Sequence, residues 1–145
     1  MDYRAIFQIS ASGMDVEKLR LETAALNLAN MHATGGAGGT SFKPLRVVAQ
    51  AVAPDFGAWM DLHERVSPGG VRAQAVPDAN AADRIVHDPG HPHADPKGDV
   101  HYPGVNHTAE MLNVMTALRA YEANVAAMAA ARSMAGRALE IGGQQ

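Results

Sequence analysis

The chain has 145 residues, a formal net charge of −3 and no cysteine, with 47% hydrophobic and only 5% aromatic residues. That length makes one domain the prior and suffices to bury an ordinary core, here built from Ala, Val, Leu and Met. The charge offers no general attraction to nucleic acid or an anionic membrane, and the lack of Cys excludes disulfides, thiolate nucleophiles and Cys-based zinc sites.

The N-terminal stretch MDYRAIFQISASGMD lacks a basic segment followed by an apolar core, so it does not read as a cleaved signal peptide. No run approaches eighteen apolar residues, so no membrane-spanning helix is expected. The expectation is a chain that stays in the cytoplasm or leaves it without a cleaved signal.

Residues 3 to 30 read as a long helix. Phe7, Ala11, Met14, Leu21, Ala25 and Leu28 alternate in steps of three and four, with Lys18 in the gap. Ile9, Val16, Leu19 and Leu26 form a second stripe, and two stripes on one helix imply two contacts. Gly13 costs about 1 kcal/mol against Ala inside a helix, which points to a close backbone approach or a tolerated kink. After Asn27-Leu28-Ala29-Asn30 the chain enters a flexible loop with four glycines at Gly35, Gly36, Gly38 and Gly39. It is not a phosphate-binding loop, because no Gly-Lys-Ser/Thr follows.

From Phe42 to Val86 the period shortens to two. Leu45 to Val52 reads as a strand, Trp59 to Val66 as a second candidate, and Val71 to Val76 as a third. Ser67-Pro68-Gly69-Gly70 is turn chemistry, so the last two are expected to pair as a hairpin. Ile85-Val86 fits a short strand. His87 to Asn106 holds four prolines and three glycines and is expected to be an extended, irregular crossing.

The last third, Thr108 to Gly142, predicts the longest helix. Met111, Val114, Leu118, Tyr121, Val125, Met128, Ala135 and Leu139 form a heptad seam, broken only at Arg132. Asn106 and Thr108 are capping types, Glu110 suits the first turn, and Gly142-Gly143 supplies a stop. At 1.5 Å per residue the helix would run roughly 50 Å, against about 40 Å for the diameter of a compact chain this long. Its charges are few. A helix apolar over most of its circumference must be covered, and some of that cover is expected from other molecules.

Little chemistry competes with this structural reading. His87, His91, His93, His101 and His107 interleave with Asp88, Asp95 and Asp99, and His91, His93 and His101 are weak candidates for a metal. A solvated polar loop is the favoured alternative, because nothing makes the rings converge. Asp55, Asp61 and Glu64 lie near one another without a nucleophile motif, so no catalytic residue and no cofactor is expected.

Several segments together resemble the flagellar basal-body rod protein family. They are Ile9 to Met14 with Leu19-Arg20, Asn27-Leu28-Ala29-Asn30, Gly69-Gly70-Val71, the crossing Asp88 to Asp95 with Gly98 and Val100 to Asn106, Glu110-Met111, and Arg119 to Val125. Asn27, Asn30, Arg119, Tyr121 and Asn124 are the motif positions within them. The chain differs in its longer glycine run after Thr34 and in Asp99, where an aromatic residue is usual. The resemblance implies an α+β fold in which long N- and C-terminal helices (residues 1–32 and 108–145) pair as an antiparallel coiled coil, with a small β-rich insert and loops over 33–107. It implies a non-enzymatic subunit of the bacterial flagellum that leaves by the flagellar type III route and polymerises into the proximal rod, carrying motor torque across the periplasm. Implied partners are further copies, other rod proteins, and neighbouring basal-body ring and export-gate components, without nucleic acid or membrane insertion. In the expected assembly seam Met111, Val114, Leu118, Tyr121, Val125 and Met128 pack against the N-terminal stripe of Phe7, Met14, Leu21 and Leu28, and the remaining apolar faces lock to neighbouring subunits. A soluble helical-hairpin adaptor or chaperone of the flagellar export system is the alternative that the helices would also suit.

Overall fold

The structure, a computed structural model, describes residues 3–35, 42–52 and 69–142. The elements in order are α1 (Tyr3–Asn30), β1 (Leu45–Val52), β2 (Gly70–Pro77), β3 (Arg84–His87), β4 (Asp99–Tyr102) and α2 (His107–Gly142). The fold is therefore α+β. Both long helices run where the three-four spacing places them. The chain divides into two compact units, one made of Met1–Leu19, Ala49–Gln74 and Ala117–Gln145, the other of Arg20–Val48 and Ala75–Thr116. Each helix, and each of β1 and β2, contributes to both.

The helix ends follow from local chemistry. Asn106 Oδ1 accepts the Ala109 N–H at 3.2 Å and the Asn106 carbonyl accepts the Glu110 N–H at 3.0 Å, so Asn106 is the cap of α2. Such a cap is worth about 1 kcal/mol. At the end of α1, Asn30 turns its side-chain amide back to the Leu26 carbonyl at 2.8 Å, and Ala33 N–H closes a turn on the Asn30 carbonyl at 3.0 Å.

β1 pairs with β2 and β3 with β4, giving two small sheets. The ends of β1 and β2 meet in antiparallel sense. Asp78 N–H donates to the Pro44 carbonyl at 2.7 Å just outside one end, and Gly69 lies against the Val52 carbonyl at the other. The hairpin expected between Trp59–Val66 and Val71–Val76 involves a segment outside the described residues. The partner that the structure shows for β2 is β1. The glycine loop from Gly36 to Gly39 likewise lies outside the described residues.

The stretch read as an irregular crossing contains a strand. Asp99–Tyr102 carries no proline, sits between Pro96 and Pro103, and pairs antiparallel with β3 in the register Arg84↔Tyr102, Ile85↔His101, Val86↔Val100, His87↔Asp99. The prolines are confined to the connection and the flank, where no ladder N–H is needed. Val100 is fully buried, and the Arg84 guanidinium carbon lies 4.9 Å from the centre of the Tyr102 ring. Residues 88–98 thus form the loop of a β-hairpin. Asp88 N–H donates to the Gly98 carbonyl, His91 N–H to Asp88, Ala94 N–H to His91 and Gly98 N–H to Asp95, all within 3.1 Å.

Among the described residues the buried positions are few and mostly small. They include Val16, Ala24, Val100, Ala117 and Ala131, together with the polar Ser10, Thr23 and Asn27. On α2 the inward stripe passes through Glu110, Val114, Ala117, Ala120, Asn124, Met128, Ala131 and Ala135. Val114, Met128 and Ala135 belong to the expected seam. Near Met111, Leu118, Tyr121 and Val125 the inward residue is the one just before the expected apolar one. Alanine and asparagine let a neighbouring backbone come close, and a large side chain on that line would hold it away.

Candidate assembly site

Two polar clusters, one inside each unit, gather residues that are far apart in sequence. In the second unit the centre is Asn27, 1% exposed. Its Oδ1 accepts the Leu45 N–H at 2.8 Å. Its Nδ2 donates to the Leu45 carbonyl at 2.8 Å and to Glu110 Oε1 at 3.1 Å. One primary amide thus engages both main-chain groups at the start of β1, as a neighbouring strand would, and also takes a carboxylate from α2. Both of its N–H groups are used. Glu110 Oε2 in turn accepts from Asn113 Nδ2 at 3.4 Å. Beside this cluster lies an open groove of about 360 Å³, lined by Arg20, Thr23, Asp78 and Asn106 among others.

In the first unit, Ser12 and Gly13 each hold a different partner. Ser12 Oγ donates to the Ile9 carbonyl at 2.8 Å and accepts the Val71 N–H at 3.1 Å, which fixes the start of β2 on α1. Gly13 faces Asn124: a methyl group at Gly13 would stand 2.9 Å from Asn124 Oδ1. The close approach expected from a glycine inside a helix is present, and the neighbour is α2. Asn124 donates to the Ala120 carbonyl at 3.0 Å. Gly70 has φ of +139°, and a methyl group there would stand 2.8 Å from Ser12 Oγ. Gly70→Ala is therefore expected to cost about 1–3 kcal/mol from backbone strain and overpacking, read as a lower denaturant midpoint at unchanged slope.

The histidines are distributed over separate partners. His87 Nδ1 lies 2.9 Å from Asp99 Oδ1, and His101 Nδ1 lies 4.0 Å from Asp83 Oδ2. His93 bonds Thr34 Oγ1 at 2.8 Å through Nδ1, and its N–H donates to His91 Nδ1 at 3.1 Å. The His91 and His93 rings stand edge to face, 5.5 Å apart. Among the described residues no group of three or more His, Cys, Asp or Glu is placed to hold a metal ion.

Asp95 organises the hairpin loop. Its Oδ1 accepts the Lys97 N–H at 2.8 Å and the Asp99 N–H at 2.9 Å. The Asp99 N–H, above all, holds the carboxyl below its ordinary value of 3.8, helped by the Lys97 N–H and opposed by partial burial. Because the folded value is the lower one, the contribution is present above the ordinary carboxylate range and is lost as pH falls through the folded value. As pH falls through that value the Lys97 and Asp99 amides are expected to lose protection relative to their intrinsic exchange rates, and Asp95→Asn to flatten the dependence.

The expected seam residues divide between the helices. On α1, Phe7, Met14, Leu21 and Leu28 are half-buried. On α2, Val114 and Met128 are half-buried, whereas Met111, Leu118, Tyr121 and Val125 are exposed, at 38–46%. Leu112, Met115, Met134, Leu139 and Ile141 are also exposed, as are Ile9 and Leu26 on α1. Sequence reasoning missed the buried Ser10, Thr23 and Asn27 as packing positions. For Asn27 no local signal could have found it, because its partners Leu45 and Glu110 lie 18 and 83 residues away. No described helix is long and apolar enough to cross a membrane.

Comparison with known proteins bears on these surfaces. The family described as Flagellar basal body rod FlgEFG protein C-terminal matches residues 98–141, which is β4 and nearly all of α2. The flagellar basal-body rod protein FlgC of Escherichia coli O6:H1 is 36% identical over 137 residues, covering 94% of this chain and 96% of that protein. The FlgC of Aquifex aeolicus is 32% identical, covering 97% of each chain, and that of Bacillus subtilis 30% identical, covering 92% and 94%.

Proposed function

Because the chain belongs to the FlgC family of flagellar basal-body rod proteins, we propose that its terminal helices are the surfaces through which it polymerises in the proximal rod. It is a structural rod subunit. Its role is assembly with other basal-body components, and the family is one of structural proteins. The export adaptor reading finds no support, since these relatives carry the rod name.

The observation that supports assembly through the helices is the exposed apolar side of α2, with Met111, Leu118, Tyr121 and Val125 partly open to solvent. Covering the exposed part of each gains about 1 kcal/mol, and repetition along a polymer multiplies the gain. Heterologous contacts between identical subunits build open helical arrays, which is the geometry a rod wall needs. In this reading α1 and α2 form the inner layer as an antiparallel pair, residues 33–107 lie outward, and the contacts are to further copies, other rod proteins, ring and export-gate components. Torque passes through those contacts, and the subunit reaches the rod by the type III route.

The test is fractionation of cells that carry a tagged copy as their sole source of this protein. The tag is expected to co-purify with basal bodies and to restore swimming. Recovery in cytosol alone, with intact basal bodies formed without it, would overturn the reading.

A further inference from the structure

Two helix-to-helix contacts, one inside each unit, share one spacing. Asn27 of α1 meets Glu110 of α2, and Gly13 of α1 meets Asn124 of α2. Going back two heptads from Asn27 reaches Gly13, and going forward two heptads from Glu110 reaches Asn124. Opposite directions and equal steps describe a single antiparallel register. We propose that Asn27 with Glu110, and Gly13 with Asn124, are the specificity-determining positions that select this register for pairing of α1 with α2. The proposal rests on the helix-pairing reading above and goes beyond it by assigning residues to the choice of register.

Apolar contacts alone select weakly here. The inward line of α2 steps by heptads through Glu110, Ala117, Asn124 and Ala131, and Ala117 and Ala131 are 0% and 1% exposed. A slip of one heptad sets an alanine of that line where Glu110 or Asn124 stood and changes little apolar buried area. The polar partners respond differently. After such a slip Asn27 would face Ala117 or Pro103, neither of which offers a side-chain acceptor, so an N–H of a fully buried amide would lose its partner. Gly13 would face Ala117 or Ala131, and the room that Asn124 occupies would stand empty. A single buried polar residue fixes register in a coiled coil in the same way, by making every alternative leave it unsatisfied.

Cross-linking reads the register directly, since the chain has no cysteine of its own. Gly13→Cys with Asn124→Cys reports the native pairing, because a methyl group at Gly13 would lie 3.1 Å from the Asn124 side-chain carbon. Gly13→Cys and Asn124→Ala, combined with Ala117→Cys or with Ala131→Cys, report the one-heptad slips. With Asn27 and Glu110 intact, the native reporter is expected to oxidise at least about tenfold faster than either slipped one. Glu110→Leu keeps both bonds from Asn27 to Leu45 and removes the bond between helices, together with the long exposed one from Asn113 within α2. It is expected to bring the three rates to near parity, while Glu110→Gln, which keeps an acceptor, restores the native preference. Circular dichroism on each variant confirms that the helices persist. Helical Glu110→Leu protein that still cross-links only at 13 and 124 would overturn the register assignment while leaving helix pairing intact. No cross-link at 13 and 124 with Glu110 present would overturn the pairing itself, and the assignment with it.

Discussion

Leu118→Asp is expected to leave the isolated chain as stable as the parent and to abolish its incorporation into basal bodies. Leu118 is 46% exposed, so a carboxylate there remains in water and the change should stay within about 0.5 kcal/mol by thermal or denaturant melting. In the polymer the same carboxylate would be covered without a partner. An unpaired buried charge costs several kcal/mol per contact, more than the apolar gain at that position. Cells carrying the variant should export it normally and fail to swim. Normal swimming would remove this face of α2 from the assembly. A variant that melts early would show instead that Leu118 supports the fold of the single chain.

Asn27→Asp should do the reverse, destabilising the single chain with no surface altered. The replacement has nearly the same shape but carries no N–H group. Its carboxylate would stand at 2.8 Å from the Leu45 carbonyl and near the Glu110 carboxylate, with only the Leu45 N–H to satisfy it. Removing donors from a site 1% exposed and adding charge there is expected to cost about 3–5 kcal/mol. For a chain of this length that lowers the melting temperature by roughly 10 °C. Combining it with Glu110→Gln should recover part of the loss, because the glutamine amide can donate where glutamate could only accept. An unchanged melting temperature for Asn27→Asp would mean that the cluster contributes nothing to the fold.

These two positions mark the boundary between what was legible in the chain and what was not. Heptad spacing marked the extents of both helices, but it placed Leu118 in a seam against the first helix, whereas the structure leaves it 46% exposed. Capping at Asn106, strands at Leu45–Val52 and around Ile85-Val86, and a close neighbour at Gly13 follow from local chemistry that needs no fold to express itself. Asn27 was singled out only as a motif position. Its role depends on Leu45 and Glu110, which lie 18 and 83 residues away, and no periodicity reports a hydrogen bond over that distance.

The strand at Asp99–Tyr102 was hidden for a related reason. Prolines dominate its surroundings, and a four-residue segment has too little pattern to outweigh them. Only its pairing with Arg84–His87 makes it a strand.

By itself the sequence determined two long helices, a small β-rich middle and membership of the rod family. Those properties rest on spacing, capping and motifs, each carried by neighbouring residues. The tertiary structure decided which side of each helix faces inward. In an alanine-rich helix nearly every face is apolar enough to be buried, so apolarity cannot choose among them. Close backbone approach and satisfied polar groups make the choice, placing Ala117, Asn124 and Ala131 inward and leaving Leu118, Tyr121 and Val125 exposed.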